Sequence, residues 1–108
     1  MAIFKRGSVH FRVKLTDIIR FEADESYTHI YTLKDKFTYS YHLGHFESLV
    51  ATSRLFVRVH DSHLINYDKV ESYEKGGYAM LEGGHKVPIS DAGYSRLVAR
   101  IEKDEEEE

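Results

Sequence analysis

Apolar and polar residues alternate along most of the chain with the period of two that marks a strand with one buried and one wet face. Val9, Phe11, Val13 and Leu15 alternate with His10, Arg12 and Lys14. After a turn at Thr16 and Asp17, the residues Ile18, Ile19 and Phe21 continue the pattern, and Asp24, Glu25 and Ser26 read as a connecting loop. Tyr27, His29, Tyr31 and Leu33 then alternate with Thr28, Ile30 and Thr32. The charged turn Lys34, Asp35, Lys36 leads to Phe37, Tyr39 and Tyr41, which predicts a hairpin. The period changes at Leu43, Phe46, Leu49 and Val50, whose intervals of three and four predict a short helix weakened by Gly44.

Phe56 to Asn66 is the most unusual stretch. Phe56, Val57, Val59, Leu64 and Ile65 are strand formers, but His60, Asp61, Ser62 and His63 interrupt them with four polar side chains in a row. Such a break is either a turn, which Asp and Ser favour, or a site. Further on, three turns (Tyr67 to Lys69, Lys75 to Gly77, Glu82 to Gly84) separate strands at Val70 to Glu74 and Tyr78 to Leu81. Strands this short and evenly spaced indicate an antiparallel sandwich or meander. Ser90 is placed to cap a second helix, with Tyr94, Leu97, Val98 and Ile101 on its apolar face and Arg96 and Arg100 on the other.

Composition narrows the functional classes. A chain of 108 residues is one domain. It has no cysteine, hence no disulfide or thiolate chemistry, which fits a reducing cytoplasm. No apolar run reaches signal-peptide or membrane-spanning length, so no membrane contact is expected of this chain. The net charge of −3 is unevenly spread: residues 102–108, EKDEEEE, hold six acids and one lysine, leaving residues 1–101 at +2. The expected organisation is one domain over 1–101 and an acidic, disordered tail over 102–108. A sharper possibility is that the tail folds back on a basic face and competes with phosphates.

Little here suggests catalysis. His42 and His45, and His60 and His63, are pairs without a third ligand, and on a continuous strand His60 and His63 would face opposite sides. No metal is expected. Asp61, Ser62 and His63 have the residue types of a hydrolytic triad, but consecutive strand residues cannot converge on one reacting atom. Phosphate and dinucleotide loops are missing, so neither a cofactor nor an enzyme is expected. The eight tyrosines and six phenylalanines fit core packing better than a base-stacking platform.

Phe56, Arg58, His60, Ser62, Ile65 and Asn66, at this spacing, resemble the centre of a LytTR domain, the bacterial DNA-binding domain of LytR- and AgrA-type transcription regulators. Asp17, Ile18, Phe21 and Glu22 resemble its early strand. Leu43, Phe46 and Leu49 resemble its short helix, and Val87, Pro88, Ile89 and Ser90 its closing strand and helix cap. The resemblance runs from about Phe4 to about Ile101. It implies a mainly β fold, an elongated antiparallel multi-sheet arrangement with a short central helix and a C-terminal helix. It also implies sequence-specific binding of duplex DNA by loops entering the major groove, as in response regulators of two-component systems. Family positions that read bases fall here on Tyr27, Thr28 and His29, on Asp61, Ser62 and His63, and on Ser90 and Asp91. Lys34, Lys36, Arg54, Lys69, Arg96 and Arg100 are the supply of phosphate contacts. Direct-repeat sites are expected, occupied by a dimer on DNA, with the chain alone a monomer.

Two residues depart from the family. Asp61 and Asp91 stand where it carries donors, arginine or asparagine at the first and arginine at the second. A carboxylate can only accept, which suits the cytosine amino group and repels phosphate. Asp91 has a structural role as well, since an acid in the first turn of a helix is favoured by roughly 0.3–1 kcal/mol. The alternative function is a module of the same fold that has lost DNA binding and acts in protein–protein interaction or regulation.

Overall fold

The computed structural model describes residues 1–106, with side chains to residue 103. In chain order the elements are β1 (Ala2–Arg6), β2 (Val9–Val13), β3 (Ile18–Asp24), β4 (Tyr27–Thr32), β5 (Lys36–Tyr39), α1 (Leu43–Val50), β6 (Phe56–His60), β7 (His63–Asn66), β8 (Val70–Tyr73), β9 (Tyr78–Leu81), β10 (His85–Pro88) and α2 (Asp91–Glu106). All strand pairs are antiparallel. They make a hairpin β1-β2, a three-stranded sheet β10-β9-β8 and a five-stranded sheet β5-β4-β3-β7-β6.

The five-stranded sheet is apolar on both faces because its inner strands carry adjacent large aliphatics, which a strand must point to opposite sides. Ile18 and Leu64 enter one core with Phe21, Ile30 and Phe37, closed by Leu43, Phe46 and Val50 of α1 and Phe4 of β1. Ile19 and Ile65 enter a second core with Val57 and Val59, closed by Ala79, Leu81, Val87 and Ile89 of the three-stranded sheet and its exit, and by Leu97 of α2. The layers give an elongated body of 43 × 31 × 25 Å. Asn66 ties the end of β7 to both neighbours: its buried amide donates to the Ile18 carbonyl (3.0 Å) and accepts from the Asp68 amide (3.0 Å).

Several details differ from the sequence reading. β1 lay unrecognised among the charges of the N-terminus: only Phe4 of it is buried, while Ile3 faces solvent. Leu49 and Val9 follow the apolar pattern but are exposed. The rings divide by type: four of the six phenylalanines are buried and no tyrosine is, because each phenol keeps its hydroxyl within reach of water or a partner. α2 continues in helical conformation through Glu106, five residues into the acidic stretch, and residues 107–108 lie outside the described residues.

β6 is an edge strand, and α2 covers it at close range. Ser90 donates its backbone amide to the Val59 carbonyl (2.9 Å), and Arg96 donates to the Arg58 carbonyl (3.2 Å), so the exposed edge is satisfied by the helix. Gly93 makes this approach possible, since a Cβ there would sit 1.9 Å from the Val59 oxygen. Gly93→Ala should therefore lift the helix from the strand and cost about 3 kcal/mol or more, a melting midpoint lower by about 12 °C or more. An unshifted midpoint in thermal denaturation would contradict this packing.

Candidate nucleic-acid interface

Antiparallel pairing sends three separated segments to one end of the central sheet. β3 and β4 are joined there by Glu25 and Ser26, with Glu25 in the left-handed region at φ 54°. β6 and β7 are joined at the same end by Asp61 and Ser62. The two hairpins are neighbours, locked by the Glu22–His63 register and by the Ala23 amide donating to the Ser62 carbonyl (2.9 Å). Strand spacing puts their centres about 10 Å apart. Ser90 and Asp91 follow beyond edge strand β6, held by Val59. The turn at Glu74 to Gly77 joins the row because the Ile89 amide donates to the Gly77 carbonyl (3.0 Å).

The sequence-predicted residues occupy this row unequally. Tyr27 is 49% exposed, and Asp61 and Asp91 are exposed. Thr28 is not a surface residue: it is fully buried on the α1 side of the sheet, where its hydroxyl donates to the Tyr41 carbonyl (2.7 Å), because strand alternation puts it beside Ile30 in the core. His29 lies on the opposite face, bonded to Asp24 Oδ2 (2.9 Å) and Thr38 Oγ1 (2.8 Å). Ser62 is half-buried, its amide donating to His60 Nδ1 (3.0 Å). Ser90 acts as the helix cap, its hydroxyl accepting from the Gly93 amide (3.0 Å) and donating to the Val59 carbonyl (3.3 Å).

His60 and His63 are paired across the hairpin, with ring centroids 5.4 Å apart, rather than on opposite sides of one strand. The polar break is the turn itself. His63 lies beneath it, its side chain 12% exposed and its Nδ1 buried without a hydrogen-bond partner, since Glu22 Oε1 stands 3.8 Å away. Burial pushes its pKa down to about 4, overriding the attraction of Glu22, with the Arg20 charge and His60 adding to the fall. His63 is thus neutral at neutral pH. Arg20 anchors this patch by donating to Glu22 (2.7 Å) and to His85 Nδ1 (2.9 Å) and by stacking 4.0 Å from the centroid of Tyr31. Burial, followed by the Arg20 charge, lowers the pKa of His85 as well.

Arg58 is the residue that sequence reasoning noted only as part of a pattern. Its guanidinium reaches Glu47 of α1 (2.7 Å), the His60 carbonyl (3.1 Å) and the Asp61 carbonyl (2.6 Å), so it braces the Asp61–Ser62 turn against the helix. The only signal for this was the alternation placing Arg58 on the face of Phe56 and α1. The phosphate candidates separate. Lys34 sits at the β4–β5 turn, Lys36 follows it with its ammonium 5.4 Å from the centroid of Tyr31, and Lys69 is tied to Glu82 (3.4 Å), all away from the loop row. Arg54, Arg96 and Arg100 instead line one open groove of 780 Å³ between β6 and α2, with Arg58, Lys103, Glu47 and Asp61. No group of three or more histidines and carboxylates among the described residues could hold a metal ion. No described helix is long and apolar enough to cross a membrane.

Two outcomes follow. The unfolded chain protonates His63 near pH 6.5 and the folded chain only near pH 4, so acidification across that window favours unfolding, by up to about 3 kcal/mol from His63. His85 adds in the same direction. Urea titrations of the wild type should show stability falling from pH 7 to pH 4, with a shallower fall in His63→Gln; equal slopes would refute the assignment. Arg58→Met should free the turn, and amide exchange at Ser62 and Ala23 should accelerate about tenfold or more, a local loss of about 1.4 kcal/mol. Unchanged exchange would mean the turn holds without the guanidinium.

The sequence profile of the LytTr DNA-binding domain matches residues 8–102. Among solved structures, a LytTr DNA-binding domain from Bacillus cereus superposes with a TM-score of 0.77 over 93% of this chain and 94% of that one, at 20% identity. No curated protein sequence matches the chain. The fold agrees with that structure and the profile spans nearly the whole chain: it belongs to the LytTR family of DNA-binding domains.

Proposed function

We propose that this domain binds duplex DNA sequence-specifically as the DNA-binding part of a bacterial, cytoplasmic transcription regulator. The observation that carries the reading is the convergence of three distant segments (the β3–β4 turn, the β6–β7 turn and the start of α2) on one end of the central sheet. Loops held on a rigid sheet suit major-groove reading, which needs side chains fixed in register with base edges. Among the positions that correspond to the family's base readers, Tyr27, Asp61 and Asp91 are the ones exposed at that end. Asp61 forms no side-chain hydrogen bond or ion pair among the described residues and would accept from a cytosine amino group. One domain covers a short site, so tight binding calls for direct repeats and a dimer assembled on DNA, with the chain alone monomeric.

A second reading, a module that has exchanged DNA for a protein partner, is favoured by one specific observation. Asp24, Glu25, Asp61, Glu74 and Asp91 stand in the row of turns, whose own segments carry a single lysine, Lys75, with Arg58 bracing the Asp61 turn and His29 bonded to Asp24. Five carboxylates raise the cost of approaching a polyanion. Fluorescence anisotropy with labelled random duplex separates the readings. DNA binding predicts an affinity that falls with salt at a slope of about −0.9 per phosphate contact. It also predicts that Asp61→Arg combined with Asp91→Arg tightens binding about tenfold, the equivalent of about 1.4 kcal/mol. Absence of binding at low salt, with no gain in the double variant, would favour the protein partner.

A further inference from the structure

The row of turns is acidic, so the phosphates that accompany base reading must be met elsewhere, and one neighbouring surface has the chemistry for it. The groove between β6 and α2 starts at Asp61, on the reading row, and runs the length of β6, roughly 17 Å, to Arg54 at the other end of that strand. Five cations line it, Arg54, Arg58, Arg96, Arg100 and Lys103, against the carboxylates of Glu47 and Asp61. Glu47 is already engaged by Arg58 at 2.7 Å, which leaves the floor electropositive.

The cations are spaced for a chain of phosphates. Arg96, Arg100 and Lys103 recur at four and three residues on α2, hence on one face, and span about 10 Å along its axis. That is the axial length of about three phosphates on one DNA strand, at roughly 3.4 Å each. Arg96 uses one N–H on the Arg58 carbonyl, and Arg100 lies 5.4 Å from the centroid of Tyr67, so both are oriented by the protein. Arg54 closes the groove from a left-handed backbone conformation, φ 60°, at the C-cap of the short turn after α1. Glycine is the residue usually found at such a position, and an arginine there holds a strained conformation while presenting a cation.

We infer that the β6–α2 groove is the seat of the DNA backbone, taking consecutive phosphates of one strand beside the bases read by the Asp61 turn. This rests on the DNA-binding reading above and assigns Arg54, Arg100 and Lys103, with Arg96, as the phosphate contacts. Lys34, Lys36 and Lys69 are left out.

The test is the salt dependence of binding to labelled random duplex. Arg54→Gly is the informative single variant: it relaxes the left-handed backbone, so the melting midpoint should hold or rise while the slope of log K against log salt falls by about 0.9. Arg54→Gly with Arg100→Gln and Lys103→Gln should remove about 2.7 from the slope, whereas Lys34→Gln with Lys36→Gln should leave it unchanged. If the wild type binds and the groove variants keep its full slope, or the Lys34 and Lys36 pair loses it instead, the groove is not the seat although the domain binds DNA. If the wild type binds no duplex at low salt, this inference and the DNA-binding reading fall together.

Discussion

The constraint behind this structure is a central sheet that is apolar on both faces. Ile18 beside Ile19, and Leu64 beside Ile65, cannot all point to one side of their strands, so both faces of β3 and β7 demand cover. A 108-residue chain has few elements to spend on that task. It uses the β1-β2 hairpin and α1 on one side and the three-stranded sheet and α2 on the other. Each fully buried aliphatic side chain contributes roughly 1.5–3 kcal/mol, and the middle of the sheet is correspondingly fixed. The turns at its end inherit that rigidity without being buried themselves, which is what a set of reading loops requires.

The same arrangement explains how a turn can be both exposed and held. The Asp61 side chain stands in solvent, but its carbonyl is clamped by Arg58, which is clamped in turn by Glu47 from the helix that covers the sheet. On the other face, His63 sits neutral under the hairpin, and Arg20 pins β3 to β10 through His85. The turn therefore reports the packing of both layers.

Much of this was legible in the sequence. The alternation gave most of the strands, the three-and-four spacing gave α1, and Ser90 gave the start of α2, because these signals depend on local periodicity and on one side chain meeting its own backbone. What stayed hidden depends on distant partners. β1 pairs with β2 but buries one residue, so no period reveals it. The burial of Thr28 is decided by which of two alternating sets faces α1, and both sets looked mixed. The pairing of His60 with His63 required the polar break to be the turn. Arg58 and the basic groove required knowing that α1 and α2 flank the same edge strand, which only the tertiary structure supplies.

The distribution of charge is the feature that most constrains the function. A net charge of −3 conceals an acidic end and a basic flank meeting at Asp61, and a polyanion approaching this surface feels both. The acids disfavour a backbone lying across the turns, and the cations favour one lying along α2, so the electrostatics select an orientation before any base is read. Asp61 stands at the boundary of the two, where, on the proposed reading, an acceptor would face a base edge while the phosphates passed it into the groove. Replacing family donors by carboxylates need not abolish binding under these conditions. On the DNA-binding reading proposed above, it would shift the affinity onto the flank and leave the turns to discriminate, a division in which screening by salt weakens the first and spares the hydrogen bonds of the second.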